Sequence, residues 1–82
     1  MVEAVALSLA LRGIADQVKA GQREWSALEH EAMAFLIGRG WRPDYVVIRC
    51  RADLAPPADG DALVVLAAAK LGSIRLIDNL EL

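Results

Sequence analysis

The chain has 82 residues, 56% of them apolar and 24% charged, with a net charge of −2. That length allows one small domain and excludes a self-contained nucleotide-dependent enzyme, since a single βαβ unit takes about 30 residues. The composition excludes a disordered chain, and the slight acidic balance excludes a protein that neutralises nucleic-acid phosphates.

The first element reads as a helix. Leu7, Leu11, Ile14 and Val18 recur at spacings of four, three and four, which stacks them on one face. Gly21 closes it, because glycine accepts the left-handed conformation of a helix end. Nothing before Glu3 serves as an N-cap, so the sequence is expected to be cut from a longer one at Met1. A second helix is predicted from a capping box, Ser26 with Glu29, into an apolar stripe of Leu28, Ala32, Phe35 and Leu36, widened by Met33 and Ile37. Gly38 and Gly40 stop it.

Beyond Gly40 the period changes from 3.6 to 2. Tyr45 to Arg51 reads as a strand, with Val46, Ile48 and Cys50 on one side and Tyr45, Val47, Arg49 and Arg51 on the other. Ala52 to Asp61, holding Pro56, Pro57 and Gly60, is a loop. Ala62 to Lys70 is almost continuously apolar and reads as a central strand covered on both faces, so that an aspartate at Leu66 is expected to unfold the domain. Gly72-Ser73 fits a two-residue hairpin loop, and Ile74 to Leu80 is the return strand. The fold class is therefore α+β, with two N-terminal helices packed on a three-stranded antiparallel sheet.

The polar residues assemble no catalytic set. His30 lies inside the second helix with no Ser or Cys at triad spacing, and reads as a surface or half-buried histidine. Cys50 shares a face with Val46 and Ile48 and reads as a buried, inert thiol. Glu29 and Glu31 point to different parts of their helix, and Asp59 and Asp61 read as turn formers around Gly60. If the last strand lies near the first, Arg49, Arg51 and Arg75 form a small basic strip, either a solvated sheet edge or a salt-bridge surface for a partner domain. Trp25 and Trp41 read as packing at the ends of the second helix rather than a ligand cage. Asp78-Asn79 interrupts the last strand and must satisfy something, such as a turn amide or a nearby arginine, or else serve a ligand or an interface. No residue is assigned as catalytic, cofactor-binding or metal-ligating. The longest apolar run, Ala62 to Ala69, is far short of the ~20 residues of a membrane span. Glu3 stands where a signal peptide carries basic residues, and one cysteine suits a reducing compartment, so a cytoplasmic location is expected.

At the last strand a familiar pattern emerges. Arg75-Leu76-Ile77-Asp78-Asn79-Leu80, preceded by Ala67-Ala68-Ala69-Lys70-Leu71-Gly72, resembles the C-terminus of pantoate–β-alanine ligases. Ala4-Val5-Ala6-Leu7-Ser8-Leu9-Ala10-Leu11, Asp44-Tyr45-Val46 and Ala52-Asp53-Leu54-Ala55-Pro56 are similar to that family's segments in the same order. Ile74 and Lys70 depart from the family's usual Thr and Arg. The resemblance implies that residues 1–82 are a single C-terminal lid domain, inactive in isolation. ATP, Mg and the catalytic residues would belong to an N-terminal adenylating domain, the implied partner, whose His-x-Gly-His motif, Lys/Ser-rich loop and Ser-Ser-Arg-Asn stretch do not occur here. The competing expectation is an autonomous, non-catalytic interaction module that self-associates through exposed faces.

Overall fold

A computed structural model describes residues 2–58 and 60–82, with side chains from Val5 onward. The expected reading of the start at Met1 and Glu3, and of Asp59 as a turn former, lies outside what is described. Two helices, α1 (Val2–Lys19) and α2 (Trp25–Gly38), precede three strands, β1 (Arg42–Cys50), β2 (Leu63–Leu71) and β3 (Ile74–Glu81). The sheet is antiparallel throughout in the order β1-β2-β3. This is the α+β arrangement the periodicities predict.

Both helices end as their glycines require. Gly21 has φ +104°, its N–H bonds the Val18 carbonyl and the Gln22 N–H reaches back to Gln17. Gly40 has φ +88°, with its N–H on Ile37 and the Trp41 N–H on Leu36. Each is the paired closure in which a left-handed residue satisfies the last helical carbonyls. Gly72 has φ +62° at the first position of the two-residue loop between Leu71 and Ile74, the pattern of a type II′ hairpin.

The start of α2 departs from expectation. The helix begins at Trp25 after Glu24, and no side chain caps it. Ser26 therefore lies inside the first turn, two residues too late to be the cap. The Gln22 side-chain carbonyl takes the Arg23 and Glu24 N–H groups instead. Glu29, released from the capping box, accepts a hydrogen bond from the Ile48 N–H at 2.8 Å. That amide belongs to the outer edge of β1, so the carboxylate ties α2 to an edge strand and blocks it as a template for further pairing. Glu29→Ala is expected to cost about 1–3 kcal/mol, the usual penalty for stripping a charged partner from a part-buried donor, and Glu29→Gln much less. Chemical unfolding of the two variants checks this; equal losses would refute the bond's role.

β1 starts earlier than predicted, at Arg42. Pro43 is tolerated because β1 is an edge strand, and the register slips between Pro43 and Tyr45, leaving Asp44 as a bulge.

α1 lies over β2 and β3, and α2 packs beside β1. The core joins Leu7, Leu11 and Ile14 of α1 and Leu28 and Leu36 of α2 to Ile48 and Val65 of the sheet. Each such side chain contributes about 1.5–3 kcal/mol when fully buried. Ala67 and Ala69 are completely buried and keep the middle of the sheet thin beneath the helices. Phe35 and Ile37, expected in the α2 stripe, are instead exposed; the Arg39 guanidinium stacks 5.6 Å from the Phe35 ring. A groove of about 380 Å³ separates the helices there, floored by Leu9, Gly13, Ala32 and Phe35.

The larger correction concerns β2. Both helices lie on one face of the sheet, and the other face is open. Leu66 points to the open face, flanked by Val47 and Asn79, and is only half-buried. A continuous apolar run does not distinguish the two faces, and here the outer side of β2 lies away from both helices, flanked by cross-strand neighbours and, at one end, by Ala52 and Leu54 of the β1–β2 loop.

Candidate functional surface

Several polar groups that could carry chemistry are tied into the fold. Cys50 is buried at the end of β1, its thiol 3.3 Å from Asp61 Oδ2 and 3.4 Å from the Pro56 carbonyl. Its N–H bonds Ala55 and its carbonyl takes the Leu54 N–H, so the cysteine anchors both arms of the β1–β2 loop. The Asp53 carboxylate accepts the Ala55 N–H within it. Leu54 adopts φ +59°, a left-handed conformation disfavoured for a branched side chain, held by these bonds.

Burial pushes the Cys50 thiol above its ordinary 9.0, and the Asp61 carboxylate adds to the rise by accepting its hydrogen bond; the Ala58 amide opposes both. The thiol is therefore neutral and a poor nucleophile. The linkage has a definite sign. The unfolded chain loses this proton first as pH rises, so the contribution to stability is complete below 9.0 and is lost as pH rises through the higher folded value. Unfolding midpoints of the parent are expected to fall above that pH relative to Cys50→Ala; parallel profiles would contradict the burial of the thiol.

The three arginines do not form one strip, because β2 separates β1 from β3. Arg51 pairs with Glu81 at 3.2 Å at one end of the open face, and Arg75 pairs with Asp44 at 2.9 Å at the other. Arg49 bonds the Ile48 carbonyl. Both ion pairs are substantially exposed and worth little individually. Between them lies an apolar band of Tyr45, Val47, Leu66 and Ile77, with Ala68 buried at its centre. Sequence reasoning missed this band; the outward side of the β1 alternation, Tyr45 and Val47 between arginines, was its only signal.

His30 is exposed on α2 near Ser26, Met33 and Tyr45, in keeping with a surface histidine. Trp41 is buried at 3% exposure and Trp25 is half-buried with the Arg23 guanidinium 5.7 Å from its ring. The two flank opposite ends of α2 as packing residues and do not converge on a cage. Asp78 is half-buried on the helix-facing side of β3 and accepts the N–H of Asn79 at 2.8 Å, satisfying an edge amide rather than an arginine. Among the described residues, no three His, Cys, Asp or Glu side chains gather to hold a metal ion, and no helix is long and apolar enough to cross a membrane.

Fold and surface together define a small α+β module in which Glu29, Cys50, Asp61 and the Arg51–Glu81 and Arg75–Asp44 pairs tie segments together, and whose sheet exposes one apolar face. The family model for pantoate-beta-alanine ligase matches residues 1–81, and the chain belongs to that family.

Proposed function

We propose that this chain is the C-terminal lid of an ATP-dependent pantoate–β-alanine ligase. The complete reaction has two steps. Pantoate attacks ATP to give pantoyl adenylate and pyrophosphate; the amine of β-alanine then displaces AMP to give pantothenate. The observation that supports membership in such a ligase is the family match over residues 1–81, on a domain where several carboxylates are engaged within the fold. Asp44 holds Arg75, Glu29 holds a strand amide and Asp61 accepts from Cys50. With these three carboxylates engaged inside the fold, ATP, magnesium and the catalytic residues are, on this reading, assigned to a separate adenylating domain.

The lid's part is physical. An acyl adenylate is open to hydrolysis, and a closing domain that excludes water protects it while the amine arrives. A rigid sheet with an exposed apolar face supplies a surface for such docking. The site of action is the cytoplasm.

Calorimetry tests the reading. Titration of the 82-residue chain with ATP and magnesium, pantoate and β-alanine is expected to give no binding heat. Saturable binding of ATP by this chain alone would overturn it.

A further inference from the structure

The two edges of the sheet are treated differently. On β1, the Ile48 N–H is taken by Glu29 and the Cys50 N–H by the loop carbonyl of Ala55. On β3, the Leu82 N–H bonds Leu63 and Leu71 faces Ile74 across the hairpin loop. Antiparallel alternation then turns the even-numbered backbone groups of β3 toward β2 and those of Arg75, Ile77, Asn79 and Glu81 outward. Among the described residues, the outward β3 amide with a side-chain acceptor is Asn79, bonded to Asp78.

We infer that β3 is a self-pairing edge whose occupant is β3 of a second copy, and that Asp78 holds the pairing in check. This rests on the strand alone and does not depend on the lid reading. Odd-numbered residues must face odd-numbered ones for the outward groups to bond. The antiparallel register centred on residue 78 sets Arg75 opposite Glu81 of the second copy, twice by symmetry, adding an opposite charge beside the exposed Arg75–Asp44 and Arg51–Glu81 pairs, and sets Leu76 opposite Leu80, also twice. It brings the two Ile77 side chains, each 65% exposed in the monomer, diagonally across the two-fold axis. Shifting the centre to residue 77 or 79 loses both charge pairs and sets Asp78 opposite a leucine. The symmetric pairing is isologous and closed, giving one six-stranded sheet from two three-stranded ones.

The central residue opposes it. In this register Asp78 faces its own copy, and like charges directly opposite are destabilising. The same carboxylate occupies the Asn79 N–H that the second copy would need. An inward charge on an edge strand is a recognised guard against edge-to-edge association.

Sedimentation equilibrium tests this on the whole 82-residue chain, with circular dichroism to establish that each variant is folded. Asp78→Asn is expected to dimerise at least about tenfold more tightly than the parent. Asp78→Thr, which also removes the charge, gives the same direction if the asparagine variant fails to fold. Adding Asn79→Pro, which removes an outward amide and leaves the β2 ladder intact, is expected to abolish the gain. In the Asp78→Asn background, Arg75→Glu weakens the dimer and Arg75→Glu with Glu81→Arg restores it. Folded charge-neutral variants no more associated than the parent would overturn the inference. So would a dimer indifferent to Asn79→Pro or not restored by the double charge reversal.

Discussion

Val65→Asp is expected to abolish cooperative unfolding, while Leu66→Asp, one residue along the same strand, leaves a folded domain. Val65 is completely buried, paired with Ile48 on one side and Leu80 on the other, beneath the helices. A carboxylate there has no partner and no water. Removing compensation from a buried charge costs about 3–5 kcal/mol, and a chain of this size holds roughly 4–12 kcal/mol in total. Leu66 lies on the open face, where an aspartate keeps its hydration and loses only part of a half-buried contact, about 1–2 kcal/mol. Urea unfolding followed by circular dichroism separates the two. If Leu66→Asp is the more damaging, the helices cover the other face and the architecture is wrong.

Trp41→Ala is the second large effect, a loss of about 3–5 kcal/mol. Trp41 is the residue after Gly40 in the closure of α2, its N–H bonded to Leu36 and its ring buried in the core that Leu36 also enters. The side chain therefore fixes where the helix stops and where β1 begins. Gly40→Ala acts through the same junction by a different route. Its Cβ meets only the end of the Leu71 side chain, at 3.9 Å, so the cost is backbone strain at φ +88°, about 1–2 kcal/mol. Denaturant unfolding that ranks Gly40→Ala above Trp41→Ala would show that the ring contributes less to the core than its burial requires.

What the sequence revealed was local. The stripe Leu7-Leu11-Ile14, the glycine closures at Gly21 and Gly40, and the Gly72-Ser73 hairpin each depend on residues a few positions apart, and all stand in the structure. The failures are contacts between distant segments. Ser26 and Glu29 have capping-box spacing, but the carboxylate found a strand amide 19 residues away. Leu66 belongs to a run whose alanines pass unnoticed on either face, so nothing in the letters says which side the helices cover. A strip of Arg49, Arg51 and Arg75 requires the last strand to lie beside the first, and β2 divides them. Family membership was legible because Arg75 to Leu80 is a long literal motif. Asp78 inside that motif looked anomalous for a strand, and its bond to the Asn79 amide supplies the physical reason.

We propose that the chemistry lies on another domain and that this one closes over it. The direct measurement is pantothenate formation from ATP, pantoate and β-alanine by three proteins: this chain, a family adenylating domain, and the two joined with this chain downstream. No turnover is expected from this chain, and at least about tenfold faster turnover from the joined protein than from the adenylating domain, equivalent to about 1.4 kcal/mol of barrier. Pantothenate made by this chain alone, or a joined protein no faster than the adenylating domain, would contradict the account.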